Sequence, residues 1–455
     1  MDKSSKICIL GYGVEGKATL NYLVKHGFGN ITICDKNVDL KDLLPQGVSC
    51  TLGTHYLDDL EEFDFIFRSP GIRFLEPKIQ GAIIKGVEVT SATKFFMENT
   101  PSKTVGITGT KGKGTCSTLC YEMLKKKLKK TYLAGNIGNS PIEYLDELDE
   151  KSMVVLEMSC FQLQDLKKSP DYSVFLNTTI DHLDYHADTM EYMQAKESIA
   201  SYQTEKGVLV LNKDYEYSKY YKPLAKGKVL EVSRKEKVLN GAFVHKGSIF
   251  YAKDGAEEKI CKVSDVKLVG SHNLENIMPA ICIAKELGVK NADILDVIKN
   301  FSGLPHRLEL VRELNGVKFY NDSFSTNTET SMAGVDSFDE KTVLIAGGSD
   351  KGLNYDEWAV KILTKPNLTC VILIGDTAKK MEESLIEAEK KLGDALGSPT
   401  KILHRETFES AVLDAYAEVG KSGVVLMSPG AASFGLFKDY KDRGERFRNL
   451  VNALR

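Results

Sequence analysis

Short apolar runs rich in β-branched residues recur along the chain, each closing on glycine or a polar residue and each followed by a helix-like stretch. KICILGYG, NITICD and FDFIFRSPG form a first set, TVGITGT, MVVLEMS, YSVFLN and GVLVLN a second, and TVLIAGG, CVILIG and GVVLMSPG a third. Continuous apolar runs bounded by turn residues predict buried strands, and their alternation with helices predicts βαβ units around parallel sheets. The predicted class is therefore α/β with three units. SATKFFMENTPSK, a helix closing on Asn-Thr-Pro, and KNFSGLPHR, with its Gly-Pro break, mark the joins. They predict domains over 1–98, 99–303 and 304–455. Between residues 214 and 265 the pattern weakens, and the lysine-rich KGSIFYAKDGAEEK predicts exposed hairpins rather than another sheet core.

A chain of 455 residues exceeds what one hydrophobic core supports, in keeping with several domains. With 42% hydrophobic and 27% charged residues and a net charge of −3, neither a nucleic-acid-coating surface nor an acidic tail is indicated, so anionic ligands must be met by local sites. MDKSSKICILGYG runs directly into a strand without the succession of a signal peptide, and no apolar run reaches membrane-spanning length; a cytoplasmic protein is expected. The nine cysteines include no CxxC pair, which argues against a disulfide framework and a structural zinc site. Cys116 and Cys120, four apart on one helix face, are expected to be small core hydrophobes.

Candidate chemistry begins at ILGYGVEGKATL. Gly11, Gly13 and Gly16 follow a strand and open a helix, and Asp35 ends the next strand. Such a turn lets backbone amides approach a pyrophosphate at a helix N-terminus, with the acid placed for a ribose. Taken alone the motif allows NAD, or glycines that serve only a tight turn. The loop RSPGI, Arg68 to Ile72, adds Ser69 and backbone N–H groups at the same sheet edge, where ligands of open α/β sheets gather. A nucleotide diphosphate of some kind is the reading that covers both.

GITGTKGKGTCSTLC, from Gly106 to Cys120, follows another strand and opens another helix, the context of a phosphate-binding loop. Amides from Gly109 to Lys113 can cradle phosphates, and the Lys113 ammonium can reach the β and γ oxygens. Gly114 stands where a magnesium-binding Ser or Thr is usual, and the Thr115 hydroxyl is the natural substitute. Glu157 ends the strand of VVLEMSCFQ, a common place for a carboxylate facing a phosphate-bound magnesium. His182, with Asp181, Asp184 and His186 in NTTIDHLDYH, could bind a second metal or cap a helix. Lys196 in QAKESIA poses a charge problem: a bare ammonium beside two magnesium ions would be repelled, so it is either remote from them or chemically altered.

The motifs GTKGKGT, LEMSCFQL, NTTIDHLDYH with AKESIA, GSHNLEN, LPHRLELV and NDSFSTN stand in order over nearly the whole chain, and together they resemble the Mur ligase family. The resemblance is greatest to the branch that adds D-glutamate. It implies a UDP-binding Rossmann-like domain, a central ATPase-like domain and a C-terminal Rossmann-like domain. It also implies ATP-dependent joining of D-glutamate to UDP-N-acetylmuramoyl-L-alanine, through an acyl phosphate, in peptidoglycan precursor synthesis. On this resemblance Gly13, Val14, Asp35, Lys36, Ser69, Pro70, Gly71, Asn136, Ser159 and Gln162 would meet the UDP substrate. ATP would be met by Gly109, Thr110, Lys111, Gly112, Lys113, Gly114, Thr115, Asn273, Asn276, Arg307 and Asp322. Thr115, Glu157, His182 and a carbamylated Lys196 would hold two magnesium ions, carbamylation turning the ammonium into an anionic ligand. Lys113, Glu157, His182, Lys196 and Arg307 would be catalytic, and Thr326, Lys351, Ser433 and Tyr440 would receive D-glutamate. A monomer that binds no nucleic acid is expected.

Four positions depart from the family pattern. Gly114 replaces Ser or Thr, and GTKGKG is similar to folylpolyglutamate synthases, which however lack a UDP domain ahead of the phosphate loop. Phe324 stands where the family motif NDSKATN has lysine, removing a cation. Cys160 replaces Ser, and Tyr440 replaces Phe. The DNPR motif of the diamino-acid-adding relatives is not found. A non-catalytic nucleotide sensor built on a decayed ligase would have no use for Lys113, Glu157, His182, Lys196 and Arg307 together.

Overall fold

The computed structural model describes residues 1–178, 185, 188–393 and 400–455. The chain divides into two compact units, Met1–Asp265 with Leu274–Lys299, and Val266–Asn273 with Asn300–Arg455.

The first unit contains two sheets. β1 (Ile7–Leu10), β2 (Ile31–Asp35), β3 (Ser49–Leu52), β4 (Phe65–Arg68) and β5 (Glu88–Thr90) form a parallel sheet in the order β3-β2-β1-β4-β5. The helix Val14–Lys25 buries Ala18, Leu20 and Leu23, which join Ile7, Ile9 and Ile33 in one core. The direction of winding reverses between β1 and β4, so the loops that follow those two strands flank a switch point, where open sheets bind ligands.

The second sheet is built from β6 (Lys103–Thr108), β7 (Thr131–Gly135), β8 (Met153–Glu157), β9 (Tyr172–Phe175), β10 (Val208–Asn212), β11 (Lys228–Ser233), β12 (Gly241–His245), β13 (Ser248–Lys253) and β14 (Ala256–Lys262). Its order is β14-β13-β12-β11-β10-β9-β6-β8-β7, parallel except at the β12–β13 and β13–β14 hairpins. β6 lies between β8 and β9, a second switch point. The hairpins expected between residues 214 and 265 are present, but they extend this sheet instead of standing apart from it. Val238, Phe243 and Ala252 bury a core of their own. The lysines of that stretch are exposed, Lys246 in the turn before β13, Lys253 at the end of β13 and Lys259 on β14, and they interrupt the apolar pattern.

In the second unit, β15 (Glu309–Leu314), β16 (Val317–Asn321), β17 (Thr342–Gly347), β18 (Leu368–Ile374), β19 (Lys401–Arg405) and β20 (Gly423–Met427) are ordered β15-β16-β20-β17-β18-β19. Only β15 is antiparallel. Cores cover both faces, one around Trp358 and Leu426, the other around Phe319 and Phe447. All nine cysteines are thiols, and Cys116 and Cys120 are fully buried. No helix among the described residues is long and apolar enough to cross a membrane.

Candidate active site

The loop after β6 is shaped by its glycines. Gly109 has φ +145°, and a Cβ there would lie 2.8 Å from the Leu176 Cβ. Gly112 has φ +86°, and a Cβ would fall 2.0 Å from Oδ1 of Asn276. Both positions are thus closed to side chains by conformation and by contact. The Thr110 amide donates to the Asn177 carbonyl at 2.8 Å, tying the loop to the end of β9. Gly112 caps the helix Lys113–Lys125 and has no side chain to offer its first-turn amides, which suits an anion at that terminus. Lys113 folds back across the loop, its Nζ donating to the carbonyls of Gly109 at 3.1 Å and Thr110 at 3.0 Å. A cation is therefore held over the loop by its own carbonyls. Lys111 is exposed in the loop, while Gly114 and Thr115 are buried in the first turn.

Glu157 ends β8 with its residue 7% exposed, and its Oε1 accepts from Asn136 Nδ2 at 2.8 Å. Asn136 is therefore bound to the candidate metal carboxylate. Lys196 is only 1% exposed, with its ammonium 3.3 Å from the centroid of the Tyr192 ring. The Tyr192 hydroxyl in turn pairs with the Thr110 hydroxyl at 2.9 Å. Burial pushes the Cys160 thiol up, while the positive charges of Lys196 and Lys113 pull it down, so both cations act on one neighbourhood. Tyr192 and Asn177 are functional candidates that motif reading missed; the spacing of Tyr192, four residues before Lys196, was the available signal.

His182, with Asp181, Asp184 and His186, lies outside the described residues. Among the described residues there is no group of three or more His, Cys, Asp or Glu able to hold a metal. The oxygen donors Thr115 and Glu157 nevertheless fit a hard divalent cation that takes its remaining ligands from phosphate and water.

At the first sheet, Gly11 has φ +93° and approaches Ser69 so closely that a Cβ would lie 2.6 Å from the Ser69 Cβ. Asp35 accepts from the amides of Tyr12 at 2.7 Å and Asn37 at 2.8 Å. Gly13, Val14, Lys36 and Gly71 are exposed, and Ser69 and Pro70 half-buried, around the same edge. Ser159 and Gln162 form a capping box at the helix Cys160–Leu163. Gln162 Nε2 reaches Glu15 Oε1 at 2.7 Å, joining that helix to the glycine motif. Burial pushes the Glu15 carboxyl up to about 7, against the pull of Gln162 and Arg68. Arg68 pairs with Asp165 at 3.1 Å, both side chains being almost wholly buried.

In the second unit, Arg307 stands between two residues in left-handed conformations, His306 at φ +64° and Leu308 at φ +45°. Its guanidinium lies 4.0 Å from the centroid of the Phe324 ring. Asp322 is buried and accepts from Leu308 N at 3.2 Å, Ser325 Oγ at 2.5 Å and Ser428 Oγ at 2.7 Å. Burial raises its carboxyl to about 6 despite these donors. Arg443 is buried too, donating to the carbonyls of Ser323, Ala431 and Ala432. The bridge between Ser349 and Ala432 brings the loop of Lys351 beside that of Ser433. Lys351 Nζ lies 5.0 Å from the Phe434 ring centroid. Tyr440 meets Phe324 edge-on at 5.2 Å, and Thr326 N donates to the Phe324 carbonyl at 2.9 Å. Asn273 Nδ2 donates to the Val269 carbonyl in the same unit, whereas Asn276 belongs to the first unit, against Gly112.

Residues 5–91 match a family model described as the N-terminal domain of the MurD-like Mur ligases, 107–284 the Mur ligase middle domain, and 306–430 the Mur ligase glutamate ligase domain. A UDP-N-acetylmuramoylalanine--D-glutamate ligase of Acetivibrio thermocellus is 39% identical over 99% of this chain and 97% of its own length. A protein of the same name from Ruminiclostridium cellulolyticum is 36% identical over 100% of this chain and 97% of its own. Among solved structures, the UDP-N-acetylmuramate-alanine ligase MurC of Thermotoga maritima aligns with TM-score 0.59 at 18% identity over 99% of both chains. MurF of Acinetobacter baumannii aligns with TM-score 0.60 at 14% identity over 99% of this chain and 92% of that one. These last two likenesses concern the fold.

Proposed function

The chain belongs to the Mur ligase family, and from that premise we propose that it joins D-glutamate to UDP-N-acetylmuramoyl-L-alanine at the cost of ATP. Full-length identity to ligases of that name supports the choice of substrates. The observation that supports the catalytic reading is the loop after β6, where a glycine cap opens a helix N-terminus and the Lys113 ammonium folds back across the loop. In this reading residues 1–98 take the UDP substrate, 99–303 take ATP and 304–455 take the amino acid.

The substrate carboxylate attacks the γ-phosphorus of ATP, and the bond to ADP breaks. One carboxylate oxygen becomes the bridge of an acyl phosphate. The D-glutamate amine then attacks the acyl carbon, loses a proton, and expels phosphate carrying that oxygen. Lys113 and Arg307 would stabilise charge on the transferring group. Magnesium bound by Thr115 and Glu157 would supply further charge neutralisation at the phosphates. Thr110, held by Tyr192, would keep the loop in shape, and Asn136 would orient the Glu157 carboxylate. Positioning of the amine by Thr326, Lys351, Ser433 and Tyr440 would govern the second step. Asp322, enclosed by three donors, would act by fixing the Arg307 loop.

Lys196 fits a carbamate role in one respect: a buried lysine that converts to an anion can serve a cation site that its ammonium would oppose. Two magnesium ions, a monomeric state and a cytoplasmic location complete the proposal. The test is phosphate release from ATP with magnesium and UDP-N-acetylmuramoyl-L-alanine, with D-glutamate present or omitted. Sustained release only when all are present is expected; release independent of D-glutamate, or none, would refute the assignment.

A further inference from the structure

Phe324 stands where the family motif carries a lysine, and its surroundings suggest what the ring does instead. Its face bears the Arg307 guanidinium at 4.0 Å, and its ring is met edge-on by Tyr440 at 5.2 Å. The Phe324 amide donates to the His306 carbonyl at 2.9 Å, so the backbone on either side of the stack is pinned. His306 is seated over Gly444, where a Cβ would fall 2.1 Å from its Nδ1, and Asn321 Nδ2 lies 3.0 Å from the same nitrogen. Leu308, on the other side of Arg307, is held by Asp322. The backbone of Arg307 is thus anchored before and after it, and the Phe324 ring meets the guanidinium at the far end of the side chain.

A guanidinium lying on an aromatic face is attracted by the ring's quadrupole, and its N–H donors stay in the plane of the group. A lysine at position 324 would instead repel it. We propose that Phe324 is a positioning residue that holds the Arg307 guanidinium by stacking and so fixes the orientation in which that arginine acts. The Tyr440 contact makes the same ring a bridge between the phosphate arginine and a residue of the amino-acid site. This inference rests on Arg307 acting at the phosphate.

The test uses the full chain and steady-state kinetics with all three substrates, alongside thermal melting. Phe324→Leu should lower kcat by about three- to tenfold, the range expected for one lost cation–π contact, with KM for the UDP substrate and the melting temperature unchanged. Phe324→Tyr should recover most of that loss, and Phe324→Lys should fall below Phe324→Leu. In an Arg307→Gln background, which has no cation for the ring to hold, Phe324→Leu should cost no more than a small fraction of its effect on the parent. Arg307→Ala with parental turnover would overturn the reading of Arg307 and this inference with it. An inactive Arg307→Ala beside a parent-like Phe324→Leu, or equal losses in both backgrounds, would overturn the stacking role alone.

Discussion

The loop after β6 in the first unit and the Arg307 loop of the second hold a cation by opposite means. Around Lys113 the scaffold is backbone: two glycines in conformations closed to other residues, a helix terminus and two carbonyls under the ammonium. Around Arg307 it is side chain: an aromatic face, a buried carboxylate with three donors, and non-glycine residues kept in left-handed conformations. Anion recognition by amides needs close approach and therefore glycine, whereas a long side chain delivered from a loop must be packed into place.

That contrast can be broken, beginning where the effect is largest. Lys113→Ala should reduce turnover by about 10²–10³-fold or more, as removal of a charge-stabilising donor does, with folding intact by circular dichroism. Near-parental turnover would remove the phosphate assignment. Asp322 tests the other scaffold through pH. Its folded carboxyl is raised to about 6 from an ordinary value of 3.8, so protonation is favoured by folding. Stability should then be full below about pH 4 and fall as pH rises to about 6, by up to about 3 kcal/mol. Denaturant titrations of the parent and of Asp322→Asn should diverge over this window, and parallel profiles would show the carboxyl to be ordinary.

Gly112→Ala forces a Cβ against Asn276 at a left-handed position and should cost about 1–2 kcal/mol of stability while weakening ATP binding. A loss confined to stability would mean the loop serves packing alone. Tyr192→Phe keeps the ring under Lys196 and deletes the hydroxyl bonded to Thr110, so ATP affinity measured by calorimetry should drop by about 1 kcal/mol. An unchanged affinity would leave the loop shaped by backbone only, which sharpens the comparison further.

The same distinction sets what could be read in advance. Each of the ten apolar runs is a strand, because continuous burial leaves an unbroken signal. β3, β15 and β19 are half-exposed and escaped notice, whereas the hairpins were expected, though not as an extension of the central sheet. Gly109, Gly112 and Lys113 were legible as a glycine turn opening a helix, and the fold shows that turn. Tyr192 offered only its spacing from Lys196, and Asn177 and Glu15 offered nothing, because their partners Thr110, Lys111 and Gln162 lie far away in sequence. For Asp322 the motif marked the position, yet burial and its three donors, visible only in the fold, point to a role in holding the Arg307 loop.

The central claim is that ATP activates the substrate carboxylate. It is tested most directly with UDP-N-acetylmuramoyl-L-alanine labelled with ¹⁸O in that carboxylate. With ATP, magnesium and D-glutamate present, the account predicts one ¹⁸O in the released phosphate for each amide formed. Unlabelled phosphate accompanying amide formation would contradict it.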